Sequence, residues 1–397
     1  MISVQCGSGY QGGKWRSPHL LMLVIPLCFL CLDLPGLAQP GAEVNPSFQA
    51  ACQQRPRLSP GQQQTIHVLL QVADTEDCGE ADRLLSQSPY LDLSDSQIRD
   101  IRVLSYFTQL TELYLTGNEI QDISGLATLS NLQILALDYN QITDISALAE
   151  LDAIAQLYLS HNQIADLTPL ANLQHLTHLE INDNQTVTLT PLGNLTQLIY
   201  LNLSGNQIVE LNPLSPLLNL NVLILNRNQI KSLTALTNLQ QLTQLQLDSN
   251  QVTHIDPLLA LESLVELDID NNPVVEGDRR LVTQTVNIRQ LTLENRCQNC
   301  DLSQLDFTNY DLIGVYLEGA DLSGTILQNA DLVGANLEYA DLRGADLRGA
   351  DLTSILWTGA NLTEANLADA IVDQSSFDQV NLCKAILPNL TIGGCQP

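Results

Sequence analysis

The chain has 397 residues, 45% hydrophobic but only 4% aromatic, with 44 acidic against 16 basic residues and a formal charge of −28. That hydrophobic share is too high for a disordered acidic chain, so a packed core is expected. The charge excludes nucleic-acid backbones and anionic membranes as favourable partners, since each phosphate would meet a like charge, and leaves basic proteins, cations and neutral glycans open.

At the start, Lys14 and Arg16 precede an apolar run from Leu20 to Leu32, and Gly36 and Ala38 offer small residues just before a cut ahead of Gln39. This is the layout of a secretory signal over residues 1–38. The run is short for a bilayer span, and no later apolar run reaches about 18 residues, so a permanent membrane span is the weaker reading. No small residue precedes Cys28 or Cys31, which disfavours a lipid anchor. The mature chain is expected to be secreted, periplasmic or at the cell surface.

Residues 39–90 read as a leader and an N-terminal cap. A flexible leader over 39–51 precedes a helical cap from Gln62 to Gln87, where Ile66, Leu69 and Leu70, then Leu84 and Leu85, recur at helical spacing. Six cysteines lie beyond the signal. By sequence proximity they pair as Cys52 with Cys78, Cys297 with Cys300, and Cys383 with Cys395, although six cysteines permit about 15 connectivities. The rival reading of Cys297 and Cys300 is a redox or zinc motif, but a lone CxxC lacks the four ligands of a closed zinc site.

A repeat of 22 residues follows. The middle leucines of the L-x-x-L-x-L-x-x-N units are Leu91, Leu113, Leu135, Leu157, Leu179, Leu201, Leu223, Leu245 and Leu267. An asparagine keeps step from Asn118 to Asn272, with Ser96 in the first unit, and unit five places Thr186 where most others have isoleucine. An irregular last strand is expected from Ile288 to Leu293. Alternation such as Leu113-Tyr114-Leu115 predicts a short strand with leucines inward, and stacking such strands makes one continuous core. The asparagine can bond backbone groups where the chain leaves the strand. Pro169, Pro191, Pro213 and Pro257 fall in the return segments, where a missing N–H is tolerable. These units resemble the leucine-rich-repeat family, in its 22-residue internalin-type subclass, over about residues 88–294; the repeat domain is assigned to 91–296.

From residue 301 the period becomes five, with central residues running from Leu302 and Phe307 through Trp357 to Leu387. Ala340-Asp-Leu-Arg-Gly-Ala-Asp-Leu-Arg-Gly-Ala350 shows the pattern best. It resembles the pentapeptide-repeat family, which implies a square, right-handed β-helix with four units per coil and with the central residue and the preceding alanine inward. Leu305, Tyr310, Val315 and Ile355 are large for the alanine position and mark points of expected irregularity. This domain is assigned to 297–391, with a C-terminal tail over 392–397. The fold class is thus a mostly β solenoid: short parallel strands, then a quadrilateral β-helix, behind a helical N-terminal cap.

No catalytic residues are assigned. The six histidines are scattered without an H-E-x-x-H or nucleophile-elbow pattern, and no cofactor is expected. The phase of the repeat instead predicts two outward columns on the concave sheet. One runs from Tyr90 through Glu112 and Ile134 to Gln290, the other from Asp92 through Tyr114 and Ala136 to Thr292. Tyr90, Tyr114, Ile134, Tyr158, Tyr200, Val222 and Ile224 concentrate there and form the candidate binding face; the plainer reading is β-propensity alone. Asp248, Glu266, Asp268, Asp270 and Glu294 gather at the far end. Asp268 and Asp270 form a weak Ca²⁺ candidate, with a solvated acidic rim favoured over it.

The leading functional expectation is an exported, non-enzymatic, monomeric scaffold that binds an unidentified protein or glycan through the concave face, without nucleic acid or a membrane span. A structural envelope or surface spacer is the alternative. Some pentapeptide-repeat proteins imitate DNA and inhibit topoisomerases, and residues 301–397 carry 14 acidic against 3 basic residues. An export signal argues against that third reading.

Overall fold

The computed structural model describes residues 47–373, 377 and 379–395. The expected signal and residues 39–46 of the expected leader lie outside them. All described residues belong to one compact unit, Pro46–Pro397.

The cap consists of three short helices, α1 (Phe48–Gln53), α2 (Pro60–Val72) and α3 (Cys78–Leu85). Each begins on a polar side chain that accepts an otherwise unpaired N–H. Ser47 takes that of Ala50, Ser59 and Gln62 form a reciprocal capping box ahead of Pro60, and Asp77 takes those of Gly79 and Glu80. The helical cap expected from Gln62 to Gln87 consists of two helices, because Asp74 turns left-handed and Asp77 starts a new helix. Helix also begins earlier than expected. Residues 48–51, read as leader, lie in α1, whose Phe48 is buried 5.2 Å from the Phe107 ring. Cys52 and Cys78 are disulfide-bonded, joining α1 to α3. Thr65 Oγ1 donates to Asp100 O at 2.6 Å, fastening α2 to the first repeat.

Nine strands of three residues, β1 (Tyr90–Asp92) to β9 (Glu266–Asp268), form one parallel sheet in chain order. Each residue pairs with the one 22 positions later, as in Leu91 with Leu113 and Leu113 with Leu135. The middle leucines of β1 to β8 are buried, and Leu267 packs partly buried at the end of the same core. Short 3₁₀ turns return the chain, and Pro169, Pro191, Pro213 and Pro257 stand in their first turns. The buried asparagines solve the polar problem of so tight a coil. Asn162 donates to Leu137 O, Leu159 O and Ser160 O at 2.9–3.2 Å and accepts the N–H of Ile142 at 3.0 Å, bridging two repeats. Unit five keeps this backbone bonding, since Asn206 accepts the N–H of Thr186 at 2.9 Å. Its departure from the pattern leaves a different defect: the fully buried Thr186 hydroxyl has no hydrogen-bond partner.

The strand expected from Ile288 to Leu293 is instead part of a helix, α4 (Glu276–Glu294). Leu291-Thr292-Leu293 imitates the alternation of the preceding strands, but no ladder asparagine follows it. Val282 and Val286, one turn apart, face the leucine core, while Leu291 packs into the next core. Acidic Glu276 and Asp278 suit the first turn. Gln290 and Thr292 therefore do not continue the outward columns. α4 bonds in both directions: Arg289 donates to Leu259 O and Leu261 O, and Arg280, Gln284 and Asn287 donate to carbonyls of Ser303 and Asp301. The Cys297–Cys300 disulfide follows directly.

From residue 296 onward, bridges join residues 20 apart, such as Asp301 with Asp321 and Asp321 with Asp341, so four five-residue units make one coil. The central residues from Leu302 to Leu367 and nearly every alanine preceding them are buried. Val315 and Ile355 fit inside despite their size, and Leu305 is partly buried; the irregularity falls on Tyr310, which turns outward, 43% exposed, edge-on to Phe307. Among the described residues the units turn on a residue with positive φ, often glycine (Gly319, Gly349), where a side chain costs free energy. Where a unit carries Asp or Asn ahead of its central residue, that side chain caps the turn. Asp321 Oδ1 accepts the N–H of Ser323 at 2.9 Å, and Asn361 that of Thr363 at 3.2 Å. The recurring acidic register of the coil thus serves the backbone. Residues 392–395, expected as a tail, fold back: Ile392 bridges Ile386 antiparallel, and Cys383 is bonded to Cys395.

Candidate functional site

Strand register brings the two outward columns together over β1 to β9. Tyr90, Glu112, Ile134, Gln156, His178, Tyr200 and Val222 succeed one another across the sheet, and Asp92, Tyr114, Ala136, Tyr158, Glu180, Asn202 and Ile224 stand beside them. Most are partly exposed, as side chains on the unpacked side of a three-residue strand must be. Tyr90 is 47% exposed, and its ring lies 5.4 Å from that of Tyr114. The tyrosines lie along their strands. Tyr114 Oη donates to Glu112 Oε2 at 3.2 Å and Tyr158 Oη to Gln156 Oε1 at 3.0 Å. His178 stacks on Tyr200 at 6.0 Å.

The sequence reading missed the next column outward. Asp138, three residues past Leu135, is largely shielded; burial pushes its carboxyl up from the ordinary value, while the N–H of Ser160, 2.8 Å away, pulls the other way. Burial also raises Glu180, and the Asp138 charge adds to it. The Tyr158 and Tyr200 phenols are raised by burial first and by Glu180 next. A ridge at the left-handed positions beyond carries Tyr139 stacked on His161 at 4.1 Å and Asp183 paired with Arg227 at 2.8 Å. The signal for both was present as the same 22-residue step counted three or four residues beyond each interior leucine.

At the far end, Glu266 and Asp268 continue the columns, but the other carboxylates have partners. Asp270 pairs with Arg279 at 3.3 Å, Asp248 accepts from Asn271, and Glu294, at the end of α4, pairs with Arg296. Among the described residues no three His, Cys, Asp or Glu side chains converge as metal ligands, and Asp268 Oδ1 accepts the N–H of Asp270 at 3.1 Å. Nor is any helix among them long and apolar enough to cross a membrane.

Geometry therefore defines two tandem solenoids, one with an open sheet face. Residues 108–164 match the leucine rich repeat model and 152–194 a two-copy model of such repeats, while 296–329, 316–353 and 360–395 match pentapeptide repeats. The chain thus carries leucine-rich repeats followed by C-terminal pentapeptide repeats. Similar solved structures include internalin C2 of Listeria monocytogenes, 29% identical, covering 53% of this chain and 90% of that one with a TM-score of 0.46. Another Listeria monocytogenes internalin, inlF, is 22% identical and covers 82% and 96%, also with a TM-score of 0.46. A leucine-rich-repeat protein of Leptospira interrogans is 23% identical, covering 49% and 58% with a TM-score of 0.45. Comparison with curated proteins gives no match.

Proposed function

We propose that the chain is an exported, non-enzymatic binding scaffold whose concave leucine-rich face recognises a macromolecule, while the pentapeptide coil extends and closes the stack. The observation that carries this reading is the row of partly exposed Tyr90, Tyr114, Tyr158 and Tyr200, with Ile134, Val222 and Ile224, on a surface whose packing does not require them. Aromatic side chains supply large contact area with few rotatable bonds, which suits recognition. Three disulfides fit an oxidising compartment and hence a secreted, periplasmic or surface location. The test is a binding screen over purified proteins and glycans, repeated with Tyr114, Tyr158 and Tyr200 changed together to Ala. A loss of at least about tenfold is expected, roughly 1.4 kcal/mol; undiminished binding removes the face from the account. The bonds of α4 to both solenoids favour a second reading, a stiff spacer. Truncation of residues 301–397 that alters surface architecture without altering any binding supports that reading instead.

A further inference from the structure

We infer that the concave face takes a basic polypeptide segment, with one guanidinium or ammonium group seated over Ala136 between Tyr114 and Tyr158. The inference rests on the reading of that face as the binding surface and adds the chemistry of the partner. Three observations carry it.

The first is shape. Ala136 is the one small residue in the two outward columns, and register sets it directly between Tyr114 and Tyr158. At a strand spacing of about 4.8 Å the two tyrosine backbones stand roughly 9.6 Å apart. Both phenols hydrogen-bond along their own strands, to Glu112 and Gln156, and the register sets Ala136, only 5% exposed, as the small floor of a notch between two aromatic side chains with Ile134 beside it. A planar cation between two rings fits such walls, because the negative ring faces attract it.

The second is charge. Glu112 and Asp138 stand beside the notch and Glu180 one strand beyond its Tyr158 wall, neither outward column contains a lysine or arginine, and none of these three carboxylates makes an ion pair among the described residues. The third is desolvation. Asp138 and Glu180 are shielded from water, and burial raises the carboxyls of both although Ser160 and His161 partly offset it at Asp138. A neutral glycan leaves that cost in place, whereas an arginine or lysine offsets it.

The test uses the full chain and a synthetic peptide alternating arginine and serine, with citrulline and glutamate counterparts and a neutral oligosaccharide. Ala136→Leu fills the notch. Glu112→Gln, Asp138→Asn and Glu180→Gln together keep its shape and remove its charge. Asp321→Asn, Asp331→Asn and Asp341→Asn together remove the same charge from the pentapeptide coil, and thermal melts establish that each variant folds. The arginine peptide is expected to bind at least about tenfold tighter than the citrulline peptide, to lose about that factor in both notch variants, and to change less than about twofold in the coil variant. Equal binding of the citrulline peptide, an equal loss in the coil variant, or no binding of the arginine peptide at millimolar concentration overturns the proposal. A partner from the screen that is lost with the three tyrosines yet kept by the carboxamide variant leaves the binding face standing and removes the cation. Oligosaccharide binding at the notch does the same.

Discussion

The two solenoids solve the same problem with opposite surfaces. In the leucine-rich region the polar side chain that satisfies the backbone, the ladder asparagine, is buried, so the outward strand positions are free of structural duty and vary from Tyr to Glu to Ile. In the pentapeptide region the side chain that caps most of the described turns is an Asp or Asn at the surface, and the interior is narrow enough for alanine. Surface composition in the second region therefore reports folding, and in the first it is open to report function.

Removing the two kinds of polar support measures that difference most strongly. Asn162→Ala leaves the Ile142 N–H without an acceptor inside the stack and takes one of two donors from each of three carbonyls, and is expected to cost about 1–3 kcal/mol. Asp331→Ala frees one N–H close to water and is expected to cost about 1 kcal/mol or less. Urea unfolding checks both, and equal costs contradict the contrast. Interior volume is the next lever. Ala340, fully buried, faces a narrow coil, so Ala340→Leu is expected to destabilise by about 1–3 kcal/mol or more. A thermal melt of that variant indistinguishable from the parent would show the interior to be roomier than its alanines imply.

A smaller gain sharpens the comparison within the leucine-rich stack. Thr186→Val removes the unpaired hydroxyl while keeping the branched shape, and is expected to stabilise by about 1 kcal/mol; an unchanged or lower melting point contradicts this. Last come opposite signs of pH dependence. The folded-state pKa of Asp138 is raised, so its ionised form opposes folding at neutral pH, and the penalty fades as pH falls through the folded value toward the unfolded one near 3.9. Asp138→Asn, which keeps an oxygen for Ser160, should melt higher than the parent at about pH 7 and no higher at about pH 4. Asp346 is lowered, chiefly by its hydrogen bond from Arg348, so its contribution is present above the unfolded value and lost as pH falls through the folded one. Asp346→Asn should lower the melting point at pH 7 by a degree or two at most, as befits an exposed pair, with the deficit vanishing in acid.

Much of this architecture was legible because both repeats write their geometry directly into spacing. A step of 22 with alternation around Leu113 or Leu157 determines which side chains share a column, since successive residues of a strand face opposite ways. Where the step lapsed, so did legibility. Leu291-Thr292-Leu293 looks like another strand, and only Val282 and Val286, with two acids in the first turn, speak for helix. Phe48 and Cys52 lie one turn apart in a helix too short to show periodicity, and Asp77 splits the cap through a hydrogen bond that composition does not advertise. The columns of the candidate site could be read; the shielding of Asp138 by its neighbours, and the folding back of Ile392 and Cys395, depend on three-dimensional contacts with no periodic signature.

Hydroxyl-radical footprinting, with a ligand from the screen and without it, compares the two surfaces in one experiment. Protection of Tyr114, Tyr158 and Tyr200 from oxidation, with exposed Tyr316 and Tyr339 of the pentapeptide coil unchanged, is the predicted result. Protection of Tyr316 and Tyr339 with the concave tyrosines still fully reactive contradicts the account.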